Sequence, residues 1–290
     1  MLLATYNIHY GVGADQRYDV ERIARTVEQA DIVCCQEVVQ GWPQNGHEDQ
    51  AARLAELLDR YYVFYGPFDT DGSSVGADGR IVNRRRTFGN LILSRWPIRA
   101  SRVRPLRHNA LSNQFDLQRG AIEATIEAPG LALRVYSVHL SHVSDAQRLP
   151  QTEDLLQFVR EAPANGSPWD VGAGKNFIFQ DRAPAVPRLA AILGDMNFTH
   201  ADPEYPLIAG HISKFYGRMV RHDQFVDAWT HLGNDDFAES YPREGRIDHA
   251  FVSPELAPAL TRAWIDQSAM GSDHWPLFVE LDPARIAAGT

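Results

Sequence analysis

The feature that most constrains this chain is a set of short apolar runs, each stopped by a polar residue. Ala190-Ala191-Ile192-Leu193 meets Gly194, then Asp195, with Asn197 one residue further on. The run is too short for a helix and a glycine ends it, so it reads as a buried strand. Side chains alternate across a strand, so Asp195 and Asn197 face the same way if the extended backbone continues. The other reading is a turn in which Asp and Asn bond their own backbone. What separates the two is whether other polar groups arrive at strand ends elsewhere.

They do. Leu2 to Ile8 reads as a first strand carrying Asn7, and Asp31 to Cys35 as a second with Gln36-Glu37 at its exit. Between them Val20, Ile23, Ala24 and Val27 recur at helical spacing behind the cap candidate Asp19. Leu54, Leu57 and Leu58 mark a second helix, and Tyr61 to Tyr65 a third strand. This opening predicts a sheet with helices packed on it. Gly66 to Thr87, rich in Gly, Asp and Ser and ending in Arg84-Arg85-Arg86, reads as a long surface loop. The arginines are a solvated run or, in the functional reading, a phosphate clamp.

Strands are expected at 89–94, 98–104, 120–127 and 131–139, spaced as hairpins, so the sheets should be mixed or antiparallel. A helix follows near 144–160. Residues 161–187, scattered with Pro and Gly, read as a long loop that is either functional, a lid over a small pocket, or disordered. Beyond the central run come a helix near 202–210 and strands near 225–229, 246–253, 260–265 and 275–281. No repeat or linker is evident, so residues 1–290 are expected to form one domain of two packed sheets with outer helices.

Charge and cysteine content narrow the functional classes. A formal net charge of −9 argues against broad electrostatic capture of duplex DNA, while leaving room for a local basic groove. The two cysteines, Cys34 and Cys35, are neighbours facing opposite sides of a strand and are expected as buried thiols. No apolar run approaches the roughly 20 residues of a membrane span. No charged n-region precedes an apolar stretch, so a cytoplasmic location is expected, although a chain trimmed of its leader would look the same.

The strand-end residues are Asn7, Glu37, His139, Asp195 with Asn197, Asp248, and Asp273-His274. Singly, each has a structural explanation: a satisfied histidine or a turn-forming aspartate. Together they are carboxylates, amides and two histidines without a thiolate or a Ser-centred nucleophile elbow. Oxygen donors with few imidazoles suit Mg²⁺ or Mn²⁺ better than Zn²⁺. A hard cation plus histidines is what phosphoester hydrolysis requires.

Thr5-Tyr6-Asn7-Ile8, Gln36-Glu37-Val38, Gly194-Asp195-Met196-Asn197, Arg246-Ile247-Asp248-His249 and Gly271-Ser272-Asp273-His274-Trp275-Pro276 resemble, in this order, the motifs of the endonuclease/exonuclease/phosphatase superfamily. Gly89 to Ile98 resembles its central strand, and Gln118-Arg119-Gly120 the strand after it. The resemblance runs from Met1 to about Leu281. It implies an α/β (α+β) four-layer α/β/β/α sandwich of two mixed sheets, with a site where loops from both sheets meet.

It also implies roles. Glu37 would be the principal Mg²⁺ ligand, with Asn7 beside it and Asp273 close enough to contribute to the metal environment or to orient its neighbour. His274 would be the general base, oriented by Asp248. Asp195 would hold the nucleophile or phosphate, and Asn197 would donate to a non-bridging oxygen. His139 would protonate the leaving group or bond phosphate; its histidine sets the chain apart from abasic-site endonucleases, which carry tyrosine there. Arg119 would reach phosphate or form a structural ion pair. Asp227 and Trp229 would support the site from behind, Met196 and Phe198 would pack in the core, and His142 has no clear family role.

The expected activity is that of a Mg²⁺-dependent phosphodiesterase acting on a small or lipid phosphodiester. A nuclease is the alternative within the same chemistry. A non-catalytic binding module on the same scaffold is the alternative outside it, and groups more than about 10 Å apart would favour it.

Overall fold

The computed structural model describes residues 1–72, 75–169, 182–242 and 244–286. In chain order these form β1 (Leu2–Asn7), α1 (Val20–Val27), β2 (Ile32–Gln40), α2 (Gln50–Leu58), β3 (Tyr61–Asp71), β4 (Arg85–Ser94), β5 (Ile98–Pro105), β6 (Gly120–Ala128), β7 (Leu131–His139) and α3 (Asp145–Asn165). The second half holds β8 (Ala190–Asp195), α4 (Tyr205–Ala209), β9 (His211–Ser213), β10 (Gly217–Met219), β11 (Val226–Asp227), α5 (Ala228–His231), β12 (Asp248–Val252), β13 (Leu260–Ile265) and β14 (Leu277–Leu281).

Two six-stranded sheets run β13-β14-β1-β2-β4-β3 and β11-β12-β8-β7-β6-β5. Each has one parallel pair, β1 with β2 and β7 with β8, and antiparallel neighbours elsewhere. Three apolar clusters explain the layering. One lies between the sheets and joins Leu3, Ile32 and Ile92 to Leu133, Leu193 and Val252. A second packs α1 and α2 on the outer face of the first sheet, and a third packs α3 and α4 on the outer face of the other. The result is the expected α/β/β/α sandwich of mixed sheets.

Local sequence explains the helices. Val20, Ile23, Ala24 and Val27 make one buried stripe, and burying each large side chain is worth roughly 1.5–3 kcal/mol. The Asp19 carboxylate accepts the Arg22 N–H at 2.8 Å, and Asp49 caps α2 through Ala52 N–H at 3.0 Å. Cys34 and Cys35 are buried free thiols on opposite faces of β2.

Toward one end of the sandwich the apolar seam gives way to polar clips between the sheets. Gln36 Nε2 donates to Ser137 Oγ at 3.1 Å, and Asn90 Nδ2 donates to the Gly120 carbonyl at 2.8 Å. These fix the relative position of the sheets where the functional residues emerge.

Several elements differ from expectation. β2 does not end at Cys35; it continues to Gln40 through a bulge, where its register with β4 shifts between Cys35 and Val38. The expected 66–87 loop is shorter than anticipated, because β3 extends to Asp71 and β4 starts at Arg85, so its two ends pair as an edge hairpin, with Arg85 bound to Asp69 at 2.8 Å. α3 runs to Asn165, further than the pattern indicated. Trp229 lies in a helical turn rather than a strand, because Asp227 accepts its backbone N–H at 2.9 Å. The expected lid over 161–187 falls in part on residues 170–181, outside the described residues.

Candidate active site

β7, β8 and β12 are adjacent strands, and their register pairs His139 with Asp195 and Asp195 with Asp248. Three strand-end residues are thereby brought to one level of one sheet. Gly194 is what lets β8 run this close to β7, since a Cβ there would lie 2.0 Å from the Val138 carbonyl oxygen. The other sheet supplies Asn7 from the end of β1 and Glu37 from the bulge of β2, where its φ is 58°. The segment before β14 brings Asp273 and His274. A cleft of about 360 Å³ opens between these elements, lined by Glu37, Arg119, His139, Asp195, Asn197, Asp273 and His274 among others.

The groups interlock. His274 Nδ1 lies 2.9 Å from Asp248 Oδ2, and its Nε2 is 3.7 Å from Asp195 Oδ2. Asp195 Oδ2 is also 3.4 Å from His139 Nε2 and accepts from Asn7 Nδ2 at 2.9 Å. Asn7 Nδ2 donates to Glu37 Oε1 at 3.2 Å as well, so one amide ties together carboxylates from the two sheets. The Asn7 oxygen is turned to the His9 backbone N–H, at 3.0 Å. Asp273 Oδ1 stands 3.6 Å from His9 Nδ1 and accepts from the Ser272 hydroxyl at 3.2 Å.

Ser240 braces the pair formed by Asp248 and His274. Its hydroxyl accepts the Ile247 and Asp248 N–H groups at 3.1 and 2.9 Å, and its carbonyl accepts Trp275 N–H at 2.7 Å. The Tyr241 ring lies over His274 with centroids 4.6 Å apart.

Asp195 and Asn197 reconcile the two readings of their stretch. Asp195 Oδ1 accepts the Asn197 backbone N–H at 3.0 Å, and Asn197 has φ 52°, so the turn is present and the extended backbone stops at Asp195. Yet both residues line the cleft. Asn197 spends one N–H on the Leu140 carbonyl at 3.0 Å. Met196 and Phe198 point into the core, as expected.

Arg119 is buried and faces inward. Its guanidinium lies 2.9 Å from His139 Nε2 and 3.0 Å from His142 Nδ1, with Asp116 3.8 Å behind it. His142, without an expected role, is thus a member of the cleft. His9, Tyr10, Phe88, Phe115, Tyr241 and Glu244 also line it and were not anticipated. Only His9 had a sequence signal, two residues after Asn7; Phe88 is an ordinary aromatic of β4, and the others are ordinary aromatic or acidic residues outside the strands.

The charges follow from burial and neighbours. Burial opposes a proton on His274, but Asp248, Asp195 and Asp273 outweigh it and raise the imidazole to about 10. Burial, joined by Asp248, pushes the Asp195 carboxyl up despite His274 and its hydrogen bonds. Burial, followed by Arg119, His274 and His142, holds His139 well below the usual histidine range. One imidazole therefore seeks protons and the other refuses them.

Behind the cleft, Asp227 accepts from Arg246 at 2.8 Å and from the Tyr205 hydroxyl at 2.6 Å, while Arg246 reaches His249 Nδ1 at 2.6 Å. This buried cluster anchors the segment that leads into Asp248.

Two sets of donors suit a divalent cation. Asp195, Asp248 and His274 offer ligand atoms within 4.8 Å of one another. Those atoms already engage each other, although Asp248 Oδ1 has no hydrogen-bond partner among the described residues. Glu37 and Asp273 are only partly buried carboxylates in the cleft. Oxygen donors open to water are what a hard cation that keeps several waters prefers.

Carboxylates and histidines gathered at one end of a two-sheet sandwich form a donor set suited to metal-assisted phosphoester hydrolysis. The model of the Endonuclease/Exonuclease/phosphatase family matches residues 4–274, and the chain belongs to that family. It is accordingly a phosphoester hydrolase of a divalent-metal-dependent group. No curated protein matches it in sequence.

Similar solved structures include an endonuclease/exonuclease/phosphatase from Beutenbergia cavernae, with 23% identity over 97% of this chain and 71% of that one and a TM-score of 0.63. A mannosyl-6-phosphatase from Bacteroides thetaiotaomicron has 20% identity, covers 97% and 99% of the two chains, and gives a TM-score of 0.60. Truncated TDP2 from Caenorhabditis elegans has 17% identity, covers 97% and 96%, and gives 0.57. At these identities the likeness is one of fold.

Proposed function

We propose that this chain hydrolyses a small or lipid phosphodiester in a Mg²⁺- or Mn²⁺-dependent reaction centred on His274. The observation that carries this reading is the convergence of Asp248, His274, Asp195 and His139, each within 4 Å of the next. Such spacing also argues against a binding module that has dispensed with chemistry.

Glu37 and Asp273 would hold the cation, with Asn7 fixing Glu37 through its amide N–H rather than ligating through its oxygen. A bound divalent ion supplies positive charge that neutralises phosphate oxygens and favours deprotonation of neighbouring water and imidazolium. His274, held by Asp248 at Nδ1, takes the proton of the attacking water at Nε2. Asp195 positions that water from the opposite side. Asn197 directs its second N–H, the one not spent on Leu140, at a non-bridging oxygen.

His139, held neutral by burial and by Arg119, donates a hydrogen bond to phosphate or to the departing oxygen and is a poor proton reservoir. Arg119 therefore acts through His139 and His142, which supports a positioning role over direct phosphate contact. Arg85 and Arg86 give little support to a phosphate clamp, since Arg85 is paired with Asp69 and Arg86 lies 5.9 Å over the Trp42 ring.

A parallel screen in Mg²⁺ with bis-p-nitrophenyl phosphate, sphingomyelin, inositol phosphates, plasmid DNA and an abasic oligonucleotide tests the substrate class. Turnover of the small or lipid diesters above the nucleic acids supports the reading. Preferential cleavage of plasmid or abasic DNA overturns it in favour of a nuclease.

A further inference from the structure

An apolar groove of about 510 Å³ adjoins the catalytic cleft. Its floor and walls include Val39, Trp42, Phe68 and Tyr18, and four residues, Tyr10, Phe88, Phe115 and Leu117, line groove and cleft alike. The junction is close: the Phe88 ring centroid is 6.3 Å from that of His139. A molecule with its phosphate at His139 therefore has a continuous path into the groove.

The chemistry of the lining selects what lies there. The Trp42 indole N–H is spent on the Thr87 carbonyl at 2.9 Å, and its ring is stacked on Phe68 with centroids 6.1 Å apart. The Tyr18 hydroxyl donates to Glu48 and accepts from Gln50 at 3.2 Å. These two groups are already engaged, and the polar capacity left in the lining is small, chiefly Gln44 and Asn45, whose Oδ1 has no hydrogen-bond partner among the described residues. An occupant read mainly by its polar edges, such as a base, therefore gains less than an apolar one. An occupant that needs only to leave water gains most. The surface is also too exposed to be ordinary core, since Phe115 is 71% exposed and Tyr10 41%.

We infer that this groove binds the hydrocarbon chain of a phosphodiester substrate whose phosphate sits in the adjoining cleft. The inference rests on the reading of that cleft as the phosphoester site. It narrows the substrate to an amphiphile, with the chain running from the phosphate past Phe88 toward Trp42 and Phe68.

The test is a series of p-nitrophenyl n-alkyl phosphodiesters, methyl through octyl, assayed as monomers in Mg²⁺. The leaving group is constant, so only the chain varies. Full burial of a methylene has a ceiling of about fourfold in affinity, and we expect kcat/KM to rise at least tenfold from methyl to octyl. Trp42→Ser and Phe68→Asp should flatten that rise. The more exposed Phe115→Ser, which carries little folding risk, should reduce it.

A parallel titration of n-butyl, n-hexyl and n-octyl phosphate, followed by calorimetry, reads the groove independently of turnover. Affinity that climbs with chain length while no diester is hydrolysed would keep the groove and reject the catalytic reading. Rates and affinities that ignore chain length in the wild-type protein would overturn the inference. So would thymidine 5′-phosphate binding more tightly than octyl phosphate and losing that advantage in Trp42→Ser, which would make the groove a base-stacking site.

Discussion

At the scale of single residues, the cleft depends on groups whose value comes from what stands beside them. His274 is basic because three carboxylates face it, and it is aimed because Asp248 holds Nδ1. His274→Ala should lower kcat by roughly 10²–10⁴-fold, the range for a general acid–base group. Behind it, Asp227 and Arg246 form a buried ion pair. Asp227→Ala would leave the guanidinium buried and uncompensated, and denaturant unfolding should show a loss of about 3–5 kcal/mol. A loss under 1 kcal/mol would mean the cluster does not anchor the Asp248 segment.

The same cluster gives a pH dependence. Burial pushes the Asp227 carboxyl up, but Arg246 and His249 more than reverse it, so its folded value lies below the ordinary carboxylate range. A group depressed in this way stabilises the fold above its unfolded pKa of about 3.9 and loses that contribution as pH falls toward the folded value. Unfolding free energy should therefore drop below about pH 4. Asp227→Asn should show a shallower drop, and equal slopes would contradict the assignment.

At the scale of elements, strands and their ends were the legible part of the sequence. Ala190 to Asp195, Leu131 to His139 and Val20 to Val27 fell where apolar periodicity put them, because burial on one face or both imposes that period. Irregular geometry was not legible. Glu37 occupies a positive-φ bulge within β2, a conformation set by the β4 partner and not by Gln-Glu-Val. The two ends of the 66–87 stretch have loop composition yet pair as an edge hairpin, since edge strands tolerate polar residues on both faces. Gly194 was legible only as a stop; its further function is to clear the Val138 carbonyl. Gly194→Ala should cost about 1–3 kcal/mol by forcing β7 and β8 apart. A thermal midpoint equal to wild type would show that the strands have slack there.

At the scale of the whole molecule, each of the two sheets contributes part of the cleft. Asn7 and Glu37 come from one sheet, and His139, Asp195 and Asp248 from the other, with His274 on the segment entering β14. The ordered motifs made this set readable because each sits at a strand end that topology carries to the same edge. The groove beside them was unreadable because Tyr10, Tyr18, Trp42, Phe68, Phe88 and Phe115 come from separate segments with no shared spacing. No helix of the described residues is long and apolar enough to cross a membrane.

The central claim is cation-dependent hydrolysis at this cleft with His274 as the base. Its most direct test is release of p-nitrophenol from bis-p-nitrophenyl phosphate by wild type and His274→Ala, each in EDTA and then in excess Mg²⁺ or Mn²⁺. Wild type should be silent in EDTA and recover with the metal, while His274→Ala should stay roughly two orders of magnitude or more below metal-loaded wild type in both. Full wild-type turnover in EDTA, or undiminished turnover by His274→Ala in saturating Mg²⁺, would contradict it.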